Sequence, residues 1–214
     1  LWSMHHIIMD GWCTSIIIQK FLDNYKSLLN DQPIACYPAK SYGEYIKWLQ
    51  YQDQSEAESF WKNYLRDARS IHLSHKEGLI ADYEPDQGYY YLEFSQQKTE
   101  QLKIFASQSQ FTLNHIIQAA WAYLISKYSQ SNKVTFGVTV SGRAIPLEDV
   151  DKILGLFINT LPLYLDLEGD PSFIDILEQV KEKMLLIQQY GYVSLQKIHN
   201  WIGVGGKNLL FDNL

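Results

Sequence analysis

The residues best suited to chemistry lie in one short run near the start of the chain, His5-His6-Ile7-Ile8-Met9-Asp10-Gly11. An imidazole exchanges a proton near neutral pH, a carboxylate four residues later can orient it, and a glycine amide can donate to a developing oxyanion. If residues 2–6 form a strand, neighbouring side chains point to opposite faces, so only one histidine can face a site. The run therefore predicts a proton-transfer site with a single working histidine.

The same residue types also have simpler interpretations. Asp10 can cap the helix that follows it, and Gly11 can simply allow the turn. Cys13 adds a further metal-ligand type, but opposed histidines and the lack of an H-x-x-x-H pair disfavour a metal site. Because Ser141-Gly142 does not belong to a G-x-S-x-G turn, the sequence also offers no serine nucleophile.

Composition limits the class of protein. With 214 residues and 46% hydrophobic content, the chain can bury the core of one large or two small domains. A net charge of −6 without a basic stretch argues against nucleic-acid binding. The two cysteines, Cys13 and Cys36, lack metal-like spacing and follow no secretory segment, which predicts the reducing cytoplasm. No apolar run approaches the roughly 20 residues of a membrane span.

The chain opens on Leu1, and Met4 lies inside the apolar lead-in to the histidine run. An initiator methionine would be unusual there, and a site motif rarely stands so close to a true start. We therefore expect the chain to be an internal piece of a larger polypeptide.

The first third of the sequence predicts helices. Apolar residues recur at helical spacing between Asp10 and Asn30, which indicates one amphipathic helix. The residues that recur in this way are Ile17, Phe21, Tyr25 and Leu28. Two S-x-x-E capping boxes predict the starts of two shorter helices. These boxes are Ser41 with Glu44 and Ser55 with Glu58.

Residues 70–88 lack periodicity and contain glycine and proline, which predicts a connection between two parts of the fold. Beyond it, residues 89–94 and 134–140 predict strands, the second alternating with a small polar face that can line a channel. Residues 161–167 predict a further strand. Helices are predicted over residues 102–107, after the cap Thr112, and after Asp170-Pro171. The buried face of the middle helix is predicted to be Ile117, Trp121, Leu124 and Tyr128.

Several segments, in this order, resemble condensation domains of nonribosomal peptide synthetases. The opening run with Trp12 resembles the family's HHxxxDG motif, and Val134 to Arg143 resembles its V-x-F-G-x-x-x-S-G-R strand. Gly155 to Leu163 is similar to its G-x-F-[IV]-N-T-L-P strand. Further similar segments are Tyr42 to Trp48 (with Glu44 in place of the usual aspartate), Phe60 to Leu65, Tyr192 to Leu195 and Leu210 to Asp212. The resemblance covers almost the whole chain.

The resemblance implies a fold and a reaction. The fold is α/β, the two-lobed chloramphenicol acetyltransferase-like sandwich of mixed sheets, expected to be incomplete at both ends. Residues 1–84 would be the last part of the N-lobe with the linker, and residues 85–214 the first part of the C-lobe. The reaction is amide-bond formation, in which the amine of an acceptor on one carrier protein attacks the thioester of a donor on another.

The implied partners are therefore the upstream and downstream peptidyl carrier proteins and an adjacent adenylation domain. No cofactor is expected to bind directly, because the phosphopantetheine arms of the carrier proteins deliver both substrates. We expect the piece on its own to be unstable and to have little activity.

The resemblance also assigns roles to individual residues. His6 matches the functional histidine, Gly11 a backbone donor, and Asn159 an asparagine that reaches the site from the second lobe. His5 and Asp10 are implied to be structural at the site, with Arg143 pairing to Asp10, because a buried carboxylate needs a partner. Two alternatives remain at this point, namely another acyltransferase of this fold that forms esters or uses coenzyme A, and a non-catalytic member that only docks carrier proteins.

Overall fold

The computed structural model describes residues 2–34, 40–71, 88–204 and 209–214. Within these ranges the chain forms seven α-helices and one antiparallel sheet of two strands, which confirms the α/β prediction. The helices are α1 (Gly11–Leu29), α2 (Tyr42–Gln50), α3 (Gln54–Tyr64), α4 (Gln96–Gln108), α5 (Leu113–Ser129), α6 (Phe173–Tyr190) and α7 (Leu195–Trp201). The strands are β1 (Lys133–Val140) and β2 (Asn159–Asp166). Cys36 and most of the predicted connection lie outside the described residues.

The core lies on one face of the sheet. Phe136 of β1 pairs with Leu163 of β2, and Val138 pairs with Leu161. Because alternate side chains of a strand share a face, these residues form one apolar surface, and all four are almost fully buried. Helices α5 and α6 pack against this surface. The two predicted alternating strands are therefore confirmed.

The opposite face of β1 is only partly open. The amide of Gly137 donates to the carbonyl of Asn213 at 2.9 Å, so the last residues of the chain run beside β1. A side chain at Gly137 would collide with Phe211 and Leu214, which explains the glycine. Thr135 is fully buried, whereas Thr139 is exposed. The small polar face is therefore accessible only at the end of the strand.

A tyrosine hydroxyl closes the outer edge of β2. The Tyr64 hydroxyl accepts a hydrogen bond from the amide of Tyr164 at 2.9 Å and donates to its carbonyl at 3.2 Å. Nearby, the buried indole of Trp61 donates to the carbonyl of Tyr190 at 3.2 Å. Helix α3 thus belongs to the same core as the sheet. The predicted division between residues 84 and 85 falls among residues that are not described and stays a prediction.

The helix start at Ser41 is confirmed, but neither of the two capping boxes predicted in the first third is found. Ser41 caps α2, but Glu44 forms an ion pair with Lys47 at 3.0 Å rather than completing a capping box. The cap of α3 is Asp53, so the predicted cap Ser55 lies inside the helix. The Asp53 carboxylate accepts the backbone amides of Ser55 and Glu56, so the helix begins two residues earlier than predicted.

The second half shows one confirmed and one corrected cap. Thr112 caps α5 as predicted, and the capping box is completed by His115. Helix α6 begins after Ser172, which forms a capping box with Asp175, and not after the predicted cap Asp170. Asp170 adopts a left-handed backbone conformation with φ 56°, so it belongs to the preceding turn.

The strand predicted at residues 89–94, and the strand considered at residues 2–6, are absent from the described residues. Residues 2–6 and 89–94 have no strand structure, and the aromatic side chains Tyr89, Tyr90 and Tyr91 are almost fully exposed. A strand is stable only when a neighbour takes up its backbone hydrogen bonds, and no described strand lies beside either segment. The local sequence pattern of these segments is therefore not enough to predict a strand.

The helix predicted between Asp10 and Asn30 is confirmed but its apolar side is largely exposed, and the buried face predicted for α5 is wrong. In α1 only Cys13 is buried, while Phe21 and Leu28 are 65% and 59% exposed. In α5 the buried residues are small ones such as Ala119 and Ala122, while predicted core residues are exposed. Those exposed residues are Ile117, Leu124 and Tyr128. Periodicity identifies an apolar face but does not determine which face the rest of the chain covers.

None of the helices in the described ranges is both long and apolar enough to cross a bilayer.

Replacing Tyr64 with Phe should destabilise the fold. The variant removes the hydroxyl from the edge of β2, so the amide and carbonyl of Tyr164 lose the bonds that it makes. We expect the free energy of unfolding to fall by about 1–3 kcal/mol in urea denaturation followed by circular dichroism. Tyr51→Phe is the matched control, because Tyr51 is 87% exposed. Equal stabilities of the two variants would contradict this role for Tyr64.

Candidate functional site

The two histidines lie in a turn that precedes α1. The carbonyl of His5 accepts a hydrogen bond from the amide of Ile8 at 3.2 Å, and its ring Nδ1 accepts one from the amide of Ile7 at 3.1 Å. The ring of His6 is exposed and makes no hydrogen bond to the described residues. The histidines therefore differ by their hydrogen bonds, and not by the strand alternation that the sequence suggested. The His5 ring holds the turn, while the His6 ring is accessible.

Asp10 joins α1 to a distant part of the chain. It is the N-cap of α1, and its Oδ1 accepts the amide of Cys13 at 3.3 Å. Its Oδ2 accepts the amides of Phe157 at 3.0 Å and Ile158 at 3.3 Å. The carboxylate is almost fully buried, so these bonds replace the water that it loses. Asp10 is therefore both the cap of α1, as the simpler interpretation has it, and a buried structural acid, as the resemblance implies.

Arg143 supplies the opposite charge. Its Nη2 lies 3.5 Å from Asp10 Oδ1, and its Nη1 donates to the carbonyls of Val150 at 2.6 Å and Ile153 at 3.0 Å. The guanidinium carbon lies 4.1 Å from the ring centre of Phe157, a favourable cation–π contact. Both charged side chains are buried, and their hydrogen bonds offset much of the desolvation cost.

The environment of Asp10 keeps its carboxylate ionised. Burial alone raises the pKa of Asp10, but the amide of Phe157, the Cys13 thiol and the charge of Arg143 outweigh burial. The net effect is a pKa below the ordinary value of 3.8. Asp10 is therefore a fixed negative charge near neutral pH, and it is not suited to proton transfer there.

Cys13 is a buried member of the same network. Its thiol lies 3.4 Å from Asp10 Oδ1 and 3.2 Å from the carbonyl of Gly155, the two acceptors available to its single proton. Its sulfur accepts the amide of Gly155 at 3.3 Å and lies 3.6 Å from Arg143 Nη2. A small, weakly polar group thus fills the space between the acid and the loop.

The glycines near the site have different reasons for being there. Gly142, before the arginine, has φ +66°, and a side chain on it would collide with the carbonyl of Phe157. Gly11 is the first residue of α1, and a side chain there would meet nothing within 4 Å. Packing therefore does not require a glycine at position 11. The Gly11 amide is one of the donors at the start of α1 that have no acceptor within the helix.

Asn159 is held by hydrogen bonds within the second half. Its Nδ2 donates to the carbonyls of Gly191 at 2.9 Å and Val193 at 2.8 Å, and its Oδ1 accepts the amide of Thr160. Both amide protons are thereby used to fix the turn after α6. The structure thus brings Asp10 and Arg143 together, and it does not direct the Asn159 amide protons towards His6.

Sequence reasoning missed three contributors to this site. Cys13 and Phe157 both bind the Asp10 carboxylate, and the Trp12 indole donates to the carbonyl of Asp151 at 3.2 Å. Cys13 could have been found, because the third residue after an aspartate N-cap commonly donates to it. No local pattern indicates Phe157, whose partner lies 147 residues away in the sequence.

The family model for the Condensation domain matches residues 1–214. Among curated proteins, Gramicidin S synthase 2 of Brevibacillus brevis is 39% identical over 203 residues, a match that covers 94% of this chain and 4% of that protein. Tyrocidine synthase 2 of Brevibacillus parabrevis is 38% identical over 200 residues, covering 92% of this chain and 6% of that protein. The chain thus spans a small part of the curated relatives that it matches.

Solved structures show the same fold. The first condensation domain of the calcium-dependent antibiotic synthetase, in complex with substrate analogue 3a, superposes with a TM-score of 0.77 at 17% identity and covers 98% of this chain. The X-domain from teicoplanin biosynthesis has a TM-score of 0.73 at 20% identity and covers 97% of this chain. The matched regions are 46% and 49% of those two chains. The predicted condensation-domain fold is confirmed.

Asp10→Asn should destabilise the fold in a pH-dependent way. A neutral amide leaves Arg143 as an uncompensated buried charge, so we expect a loss of about 3 kcal/mol near neutral pH. Because the folded pKa of Asp10 is lowered, ionised Asp10 stabilises the fold above its ordinary value of 3.8, and this contribution is lost as pH falls through the folded value. The difference from the parent in urea denaturation should therefore shrink in acid. A difference that is constant with pH, or matched by the exposed control Asp31→Asn, would contradict the assignment.

Cys13→Ala should cost more stability than Cys13→Ser. Alanine removes the thiol and leaves the amide and carbonyl of Gly155 buried without that partner, at a cost of about 1–3 kcal/mol. A serine hydroxyl keeps one donor and one acceptor at the same position, so its cost should be smaller. Ser15→Ala, an exposed position in α1, is the control. If alanine were as stable as serine in thermal unfolding, the polar contacts of the thiol would not matter.

Proposed function

Because this chain belongs to the condensation-domain family, we propose that it catalyses amide-bond formation between two substrates held as thioesters on carrier proteins. The acceptor amine attacks the carbonyl carbon of the donor thioester, a carbon–nitrogen bond forms, and the carbon–sulfur bond breaks. The amine loses one proton, and the departing phosphopantetheine thiolate gains one. The relatives named as synthases of gramicidin S and tyrocidine support a peptide product.

The observation that carries this proposal is the contrast between His6 and Asp10. The Asp10 carboxylate is buried and held by four residues, whereas the His6 ring, four residues earlier, is exposed and has no hydrogen-bond partner among the described residues. The run is thus fixed at one end and leaves an imidazole available at the other. Such an imidazole can take the proton of the attacking amine or accept its hydrogen bond and orient it.

Alignment of the substrates contributes beside proton removal. A free α-amine has a pKa of about 7.7–8.0, so roughly a tenth of it is already nucleophilic at neutral pH, and a thioester is an activated donor. Holding the two tethered groups in contact therefore supplies a large part of the acceleration. The exposed amide of Gly11 is our candidate donor to the oxyanion that forms on the donor carbonyl.

The remaining site residues act through position. His5 fixes the turn, and Asp10 with Arg143 ties that turn to the segment that precedes β2. Asn159 is a positioning residue in this scheme, because its amide protons hold the turn at Gly191 and Val193. It is not assigned to the reacting atoms.

The proposed partners follow from the reaction. Upstream and downstream peptidyl carrier proteins would deliver the donor and the acceptor on phosphopantetheine arms, and an adjacent adenylation domain of the same cytoplasmic synthetase would select the acceptor. We expect the 214-residue chain alone to form little product, because it spans about half of the solved condensation domain that it matches.

His6→Ala should abolish most product formation without unfolding the protein. Since general acid–base groups contribute about 100-fold or more, we expect at least that loss of amide product in the synthetase module, measured by mass spectrometry of the acceptor carrier protein. The melting temperature should stay close to that of the parent, because the His6 ring contacts no described partner.

His5→Asn is the companion variant, since an asparagine oxygen can replace the ring nitrogen that accepts the amide of Ile7. It should retain more activity than His6→Ala. Full activity of folded His6→Ala would overturn the role of His6. Product formed only from an alcohol acceptor or a coenzyme A donor would instead indicate another acyltransferase reaction.

A further inference from the structure

A cavity of about 480 Å³ lies between α2 and the second half of the chain. Its walls come from α2, the end of β1, the N-terminus of α5 and the last turns of α6. Its aromatic side chains are Tyr45, Trp48 and Tyr192, and its polar side chains include Asn114, Thr139 and Gln188. The volume falls within the range of about 300–1,000 Å³ that is typical of small-ligand sites.

The lining of this cavity is uncharged. Among the described residues that form its walls, none is an aspartate, glutamate, lysine, arginine or histidine. Burial raises the pKa of Tyr45 to about 12, so its hydroxyl stays neutral as well. A charged group that entered would lose water without gaining an opposite charge. An uncharged ligand with apolar surface avoids this cost and gains the aromatic contacts.

The aromatic wall is fixed by its own contacts. The rings of Tyr45 and Trp48 are stacked with centres 6.0 Å apart, and Tyr192 meets Trp48 edge-on at 6.0 Å. The hydroxyl of Tyr192 donates to the carbonyl of Asp53 at 2.8 Å, and Gln52 donates to the carbonyl of Trp48 at 2.8 Å. A ligand therefore meets a wall that is already formed, which reduces the entropy cost of binding.

The cavity adjoins two parts of the proposed site. Gly142, in its wall, directly precedes Arg143, whose guanidinium lies against Asp10. Gly191, also in its wall, gives its carbonyl to Asn159. The hydrogen bonds that fix the site therefore also fix two walls of the cavity.

We propose that this cavity, here called the Trp48 cavity, holds the uncharged side chain of an aminoacyl substrate. Aromatic and large aliphatic side chains are favoured over acidic and basic ones. The inference rests on the proposed amide-forming function, which supplies an aminoacyl thioester as the ligand. Donor and acceptor carry the same kinds of side chain, so the chemistry of the cavity does not tell which of the two it holds. The experiment therefore tests each of them separately.

The test is a binding titration of the whole chain with pantetheine thioesters of phenylalanine, glutamate and lysine. One series carries an acetylated amine, as a donor does, and the other a free amine, as an acceptor does. The indole NMR signal of Trp48 reports binding. In the series that represents the natural occupant, the phenylalanine compound should bind at least about tenfold more tightly than the glutamate and lysine compounds. Equal affinities within both series, or no binding in either, would overturn the proposal.

A charge variant sharpens the test. Gln188→Glu adds a carboxylate to the cavity wall with little change of shape, so the lysine compound should gain about fivefold in affinity relative to phenylalanine. Gln101→Glu makes the same change on the exposed surface of α4, outside the cavity, and should leave the ratio unchanged. A ratio that changes equally in both variants would show that the cavity does not select the side chain.

The role of the cavity and the proposed reaction can be disproved independently of each other. Binding is measured without turnover, so selective binding by a module that never forms amide product would disprove only the proposed function. Conversely, a module that forms amide product from phenylalanine, glutamate and lysine at equal rates, without selective binding, would disprove only the role of the cavity.

Discussion

The buried carboxylate of Asp10 is the interaction on which the arrangement of the site depends. It ends the histidine turn, starts α1, and accepts hydrogen bonds from the amides of Phe157 and Ile158. A charge in this place is tolerable only because Arg143 neutralises it and because the thiol of Cys13 fills the remaining space. Parts of the chain more than 130 residues apart therefore adopt one geometry together.

The ion pair of Asp10 with Arg143 is also connected to the sheet. Arg143 lies shortly after β1, which ends at Val140, and Phe157 lies shortly before β2, so the ion pair sits at the end where the two paired strands separate. Tyr64 closes the outer edge of β2, and Asn159 holds the turn after α6. The aromatic side chains of α2 then pack on Phe157. The site and the core are thus successive layers of one packed structure.

Sequence patterns predicted this fold where the cause is local or where a motif is specific. The alternation in β1 and β2 and the helical spacing in α6 follow from burial on one face, and the resemblance supplied the partnership of Asp10 with Arg143. The patterns failed where the partner is distant. Nothing near Tyr64 or Asn159 in sequence indicates the distant backbone groups that they bind. The aromatic run at residues 89–94 has no neighbouring strand among the described residues.

Among the described residues, helix α1 is held to distant parts of the chain through its first turn. Cys13, in that turn, is its one buried residue, while large apolar side chains of later turns, such as Phe21 and Leu28, are exposed. The later turns have few buried contacts with the described residues, so they can open locally without breaking the Asp10 network, whereas the first turn opens only when that network breaks. Fraying at the far end of α1 is therefore energetically separate from the histidine turn.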